Sequence, residues 1–122
     1  MSHTTVHKEK VSDTNLFLDI AEQMGYKVVR DKGKVNLYGS NSVEDAVSVH
    51  IEGWGIPLAI DKNGNVHYDH FGSQYGTMEK LHSLMTNYNE QVVVKNIPMD
   101  TVTGYYFETQ EDGTRQLVME YA

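Results

Sequence analysis

The residues able to do chemistry in this chain are histidines and carboxylates. Six histidines and 17 Asp and Glu lie in 122 residues, with no cysteine. The densest grouping is His67-Tyr68-Asp69-His70. In a strand, side chains alternate between faces. His67 and His70 would then point apart, while His67 and Asp69 would share a face. Two ligands do not make a metal site, and no thiolate is present to complete one. His82 has no histidine partner at helical metal spacing. We therefore expect no metal and no cofactor.

Covalent catalysis has no clear carrier. There is no Gly-x-Ser-x-Gly elbow. Ser-His-Asp sets can be drawn from many residues, and that freedom empties them of meaning. Neither a phosphate-binding Gly-Lys-Ser/Thr loop nor a dinucleotide fingerprint occurs. A carboxylate pair for glycoside hydrolysis can be drawn from the many acids, but no spacing singles one out. No residue is assigned a catalytic role, and an uncharacterised hydrolase ranks third among the readings.

Aromatic usage says more. The chain has 8 Tyr, 3 Phe and one Trp. Tyrosine suits surfaces that are apolar on one side and wet on the other. Trp54 lies in a Gly-Trp-Gly loop with little around it in sequence to bury it, so exposure is expected. Tyr75 lies in the loop Gly72-Ser-Gln-Tyr75-Gly76. Either could stack on a ring-bearing ligand or anchor a protein partner. The plainer arrangement folds each back over the sheet.

Charge excludes one broad class. The formal net charge is -7, and general nucleic-acid binding needs a basic footprint. The imbalance is local. Residues 1–34 hold six bases and five acids; the remainder holds four bases and twelve acids. Such a surface keeps a protein soluble, or it meets a basic partner. A length of 122 residues with 39% hydrophobic and 22% charged residues fits a single globular domain over 1–122. No apolar run approaches the ~20 residues of a membrane helix. No signal peptide is recognisable, and a cytoplasmic protein is expected, in the host cytoplasm if the source is a phage.

The elements follow from periodicity. Thr4 to Val11 reads as a first strand. Ser12 is placed to cap a helix carrying Leu16, Phe17, Ile20, Ala21 and Met24 on one face, with Gly25 ending it. Tyr26–Arg30 and Val35–Tyr38 flank a turn at Asp31-Lys32-Gly33. Ala46–Glu52 follows, with Val47, Val49 and Ile51 on one face. Ile56–Ile60 and Val66–His70 flank Asn63-Gly64, the pair favoured in two-residue hairpin turns. That turn would oppose Ile60 to His67 and Leu58 to Asp69. Thr77 could cap a second helix with the stripe Met78, Leu81, Met85 and Tyr88; the β-branched run Val92–Val94 leaves its end open. In the last hairpin a three-residue loop, Glu111-Asp112-Gly113, opposes Phe107 to Leu117 and Tyr105 to Met119, so that the apolar faces agree. The order predicts an α+β fold. Its sheet is mainly antiparallel, of about five or six strands, with two helices packed on one face.

The chain resembles one small family along nearly its whole length. The pieces are the Met1-Ser2-His3 opening, the helix Leu16–Met24 with Gly25-Tyr26, and Tyr38 and Gly39 before the strand Asp45–Ile51. They continue with the Ile56–Ile60/Asn63-Gly64 hairpin to Asp69, the helix Leu81 to Tyr88, and the closing Glu111–Val118. The order and spacing of these pieces are similar to the domain-of-unknown-function family typified by the hypothetical chloroplast reading frame thirty-five protein. That family also has cyanobacterial, other bacterial and phage members. The resemblance implies a fold more than an activity. Asp69 and Tyr88 match family positions, whereas residues 71–76 and 92–98 depart from the family pattern.

Two functions from different classes remain. The first is a non-enzymatic module that binds a small, nucleotide-like ligand. Trp54, His67, Asp69, His70 and Tyr75 would form the site, and phage membership of the family suggests sequestration of a signal. Aromatics would stack, histidines and backbone N–H groups would hold an anion, and Asp69 would orient a histidine or accept from a base or sugar hydroxyl. The second is an acidic inhibitor or adaptor that engages a basic protein. A homo-oligomer is compatible with either.

Overall fold

The structure is a computed structural model that describes residues 3–7, 9–37, 41–70 and 78–121. Among these residues two helices and seven strands make an α+β fold with wholly antiparallel pairing. In chain order they are β1 (His3–Val6), α1 (Thr14–Gln23), β2 (Lys27–Asn36), β3 (Ser42–His50), β4 (Leu58–Ile60), β5 (Val66–His70), α2 (Met78–Lys95), β6 (Val102–Thr109) and β7 (Arg115–Tyr121). The chain forms two compact units, 1–89 and 90–122. The first holds a five-stranded sheet in the order β1-β5-β4-β3-β2, and the second holds the β6–β7 hairpin. Among the described residues no helix is long and apolar enough to cross a membrane.

Alternation builds the core of the first unit. Val47 pairs with Ile60, Val49 with Leu58, and Ile60 with Val66, so these side chains share one face. All are buried. The helices cover that face with Phe17, Leu18, Ile20 and Ala21 from α1 and Leu81, Leu84, Met85 and Tyr88 from α2. Leu84 joins the expected stripe of Met78, Leu81, Met85 and Tyr88. The two helices meet where the Tyr88 ring stands edge-on to Phe17, centroids 5.5 Å apart. The N-cap is Asp13, one residue after the expected Ser12; its carboxylate accepts from the Leu16 N–H. The Asp13 N–H in turn donates to the Tyr88 hydroxyl at 2.9 Å, and Ser12 Oγ lies 3.2 Å from the same oxygen. Tyr88→Phe leaves the Asp13 N–H without its acceptor. We expect thermal unfolding, followed by fluorescence of the single Trp54, to register a loss of about 1–2 kcal/mol. An unchanged midpoint would mean that this bond contributes nothing.

Three expectations are corrected, and one end left open is fixed. The first strand ends at Val6 rather than Val11; from Val11 the backbone N–H donates to the Gly64 carbonyl at 2.8 Å, fastening the segment to a turn. The expected turn at Asp31-Lys32-Gly33 lies inside the continuous strand β2. Gly33 does not take the positive φ that a tight hairpin turn would ask of it. Residues 30–32 bulge opposite Val47 instead, and Glu44 and Asp45 bulge opposite Lys34, with Asp45 at φ 51°. Helix α2 continues through Val92–Val94 to Lys95, so the valine run is helical. Asn96 accompanies its end by donating to the Val92 carbonyl at 2.8 Å.

The β4–β5 register is the third correction, and the one that matters for function. Ala59 opposes His67 and Ile60 opposes Val66, one residue off the two-residue-turn register. Lys62-Asn63-Gly64 form a three-residue loop closed by Asp61 N–H to Asn65 carbonyl and Gly64 N–H to Asp61 carbonyl, both at 3.0 Å. The cause is burial. The two-residue register would set His67 and Asp69 beside Leu58 and Ile60 in the core; the observed one sets Val66 and Tyr68 there. His67 and Asp69 lie instead on the opposite face with Ala59. That face is partly apolar too: Leu37, Ala46 and Ala59 form a small cluster with Val35, Val43 and Ile56.

The closing hairpin has the same kind of loop, as expected from its apolar faces. Phe107 opposes Leu117, Tyr105 opposes Met119, and Gly113 is left-handed at φ 87°. Arg115 lies over the Phe107 ring, 5.6 Å from its centroid, and pairs with Glu90 at 2.8 Å. The expected Thr77 cap falls outside the described residues.

Candidate functional site

The β4–β5 turn organises the most developed polar site. Asp61 divides its two oxygens between two tasks. Oδ1 accepts the backbone N–H groups of Asn63 and Asn65, both at 2.9 Å, which shapes the loop. Oδ2 accepts from the Asn65 amide at 3.3 Å and from His67 Nε2 at 2.8 Å. A carboxylate only accepts, so Nε2 carries a proton, and in the neutral form of the ring Nδ1 is an acceptor. Asp61 and His67 are only 17% and 19% exposed. Burial pushes the Asp61 carboxyl up, but the bonds from His67, Asn65 and Asn63 outweigh it and hold it below its ordinary value.

This pair borders a cleft of about 370 Å³. One wall is the entry to β3, residues Asn41, Ser42, Val43 and Glu44; the other is Asp61, Lys62 and Asn63, with His67. Val43 belongs to the apolar cluster of this face, so an otherwise polar lining includes an apolar side chain. Leu37 N–H donates to the Asn41 carbonyl at 2.8 Å, which ties the start of the first wall to the residue after β2. The volume falls near the lower end of ordinary small-molecule sites. Lys62 is its one cation among the described lining residues, against Glu44 and Asp61.

Of the five residues singled out in the sequence, His67 alone among the described residues lines this cleft. Trp54 is buried, 5% exposed, and is not the exposed stacking surface expected from its Gly-Trp-Gly setting. Its N–H donates to the Ile51 carbonyl at 3.0 Å and its carbonyl meets His50 Nε2 at 2.8 Å, which turns the loop inward. Among the described residues its indole N–H has no partner. Asp69 is 4% exposed in β5, opposite Thr4 of β1. His70 lies opposite His3 in the same ladder, and its side chain lies outside the described residues. Tyr75 lies outside them as well.

Asp61, Asn41, Ser42 and Asn63 were not foreseen. The signal for Asp61 was present: an aspartate just before Lys-Asn-Gly can cap the turn with its own side chain. The two-residue register hid its partner, because it sets Asp61 and His67 on opposite faces. A second cleft of about 370 Å³ is lined by His7, Met78, Glu79, Leu81 and His82. Among the described residues no group of three His, Asp or Glu side chains comes together to hold a metal there or elsewhere.

No family model, curated protein or solved structure matches the chain.

Proposed function

We propose that the chain is a non-enzymatic binding module that captures a small polar ligand, nucleoside-like in size, in the cleft beside the β4–β5 turn. The supporting observation is the His67 ring held by Asp61 at 2.8 Å on the wall of that cleft. A ring fixed by a second group loses little freedom on binding, which is how a weak hydrogen bond gains specificity. Asn41, Ser42 and Asn63 add amide and hydroxyl groups that both donate and accept. With Lys62 against two carboxylates, the site favours the sugar and base of such a ligand over its phosphates. Among the described residues no hydroxyl is hydrogen-bonded to His67, so the nucleophile–base pairing of a hydrolase has no support here. The family resemblance and a setting in the host cytoplasm belong to the same proposal; neither supplies a ligand.

Calorimetric titration with nucleosides, nucleotides and their sugars tests this reading. We expect at least one uncharged member to bind, and His67→Ala to weaken it about tenfold or more, a loss of about 1.4 kcal/mol. Silence across the whole set would end the proposal.

A second reading, an acidic adaptor for a basic protein, draws on residues 90–122. They carry six acids against two bases. Among the described residues, five of the seven exposed large apolar side chains are also there: Val93, Met99, Tyr105, Tyr106 and Tyr121. Aromatic and Met side chains are enriched at interfaces. This reading predicts capture of a basic protein that weakens steeply with salt, since charges interact over roughly 10 Å at 0.1 M. Capture indifferent to salt contradicts it.

A further inference from the structure

The described strand edges are not equally guarded. In the five-stranded sheet β1 has 4 residues, and β2 carries Lys27, Arg30, Lys32 and Lys34 and two register irregularities. Short length, lysines and bulges are the usual protections against unwanted pairing. In the hairpin β6 has its own irregularity between Val102 and Gly104. The remaining edge is β7. It is 7 residues long and contains no Lys, Pro or Gly, and among the described residues it pairs only with β6. A two-stranded hairpin is marginal by itself, and further strands are the ordinary remedy.

We propose that β7 is the pairing edge of a symmetric dimer, in which a second copy of the chain lays its own β7 antiparallel across a two-fold axis at Val118. The two hairpins then form one four-stranded sheet.

The backbone phase permits this. Gln110 N–H donates to the Thr114 carbonyl at 2.7 Å, so the bonded pairs of the hairpin continue at Glu108/Gln116 and Tyr106/Val118. The N–H and C=O groups of Arg115, Leu117, Met119 and Tyr121 therefore point away from β6. Val118 is the middle residue of Arg115–Tyr121, so a two-fold there uses the full strand. Leu117 meets the partner's Met119, Arg115 meets the partner's Tyr121, and Gln116 meets the partner's Glu120. No like charges are opposed, and the Arg–Tyr pairing is favourable. Leu117, Met119 and the 63% exposed Tyr121 continue into the same face of the second copy. On the other face Val118, beside Tyr106, meets the partner's Val118 on the axis. This surface stands independently of the ligand cleft.

The absence of native cysteine makes the test clean. At a non-bonded antiparallel pair the two Cα atoms lie about 4.5 Å apart, within disulfide reach. Val118→Cys in the full chain should oxidise rapidly to a covalent dimer, while Gln116→Cys, displaced from the axis, should not. Light scattering of the unmodified chain should give twice its 13.8 kDa. Val118→Lys should return it to the monomer mass, and an equimolar mixture of Val118→Lys and Val118→Glu should restore the doubled mass. That restoration separates lost pairing from lost folding. A native mass of 13.8 kDa throughout, equal crosslinking at both cysteines, or a Val118→Lys dimer would overturn the proposal.

Discussion

Gly64→Ala should be the most damaging single methyl group in the first unit, costing about 2–5 kcal/mol. Gly64 sits at φ 85°, where an L side chain is strained by about 1–2 kcal/mol. A Cβ there would also fall on the Val11 carbonyl oxygen, far inside contact distance, and 3.2 Å from the carbonyl carbon. Both are backbone atoms and cannot rotate away. Relief requires moving the segment that enters α1, which breaks the bond from Val11 N–H to the Gly64 carbonyl. Leaving such a buried pair unmade adds about 1–3 kcal/mol. Gly113 is the internal control. It occupies the same loop position in the last hairpin at φ 87°, but a Cβ there meets nothing within 4 Å. Gly113→Ala should therefore cost only the conformational strain, about 1–2 kcal/mol. Denaturant unfolding of the two variants separates strain from collision. Equal losses would show that the contact with Val11 does not constrain the fold.

Asp61→Ala should cost about 2–4 kcal/mol, because two backbone N–H groups and the His67 ring lose their acceptor together. Asp61→Asn discriminates between the two tasks of the side chain. Its carbonyl can still accept from Asn63 and Asn65, but its NH₂ faces His67 Nε2 with donor against donor. We expect the hairpin to survive at a cost of about 1–2 kcal/mol while His67 loses its fixed orientation. The pH dependence has a definite sign. The folded Asp61 carboxyl titrates below its ordinary value of 3.8, so the unfolded chain binds a proton first as pH falls. The stabilisation is complete above that value and is lost as acid carries the solution through the lower folded pKa. Asp61→Asn should flatten the stability profile in that acid window. An unchanged acid slope would separate Asp61 from acid unfolding.

Much of the architecture was legible because burial repeats with a fixed period. The α1 stripe, the Val47/Val49/Ile51 face and the closing hairpin are cases where apolar spacing decides the element or its register. The two hairpins are instructive together. In the second, matching Tyr105 and Phe107 to Leu117 and Met119 leads to the three-residue loop. In the first, the Asn63-Gly64 pair led to a two-residue turn, although matching Leu58 and Ile60 to Val66 and Tyr68 demands three. Local turn preference lost to burial of four apolar side chains. That slip concealed the site, since Asp61 and His67 meet only in the observed register. Trp54 illustrates a different limit. Flanking glycines describe the freedom of a loop, whereas inward folding depends on the Ile51 carbonyl accepting the Trp54 N–H and the His50 ring donating to the Trp54 carbonyl. Bulges in β2 and β3 were equally hidden, because Gly33 reads as a turn residue until its strand partner is known.

The cleft itself can be interrogated residue by residue. Backbone and imidazole ¹⁵N resonances of the full chain, recorded while an uncharged nucleoside is titrated in, report directly on where a ligand sits. Ligand capture beside the β4–β5 turn predicts shifts concentrated at Ser42, Val43, Asn63 and the His67 ring, abolished in Asp61→Asn although the β4–β5 amide pattern persists. Shifts that cluster elsewhere, or that survive intact in Asp61→Asn, would contradict it.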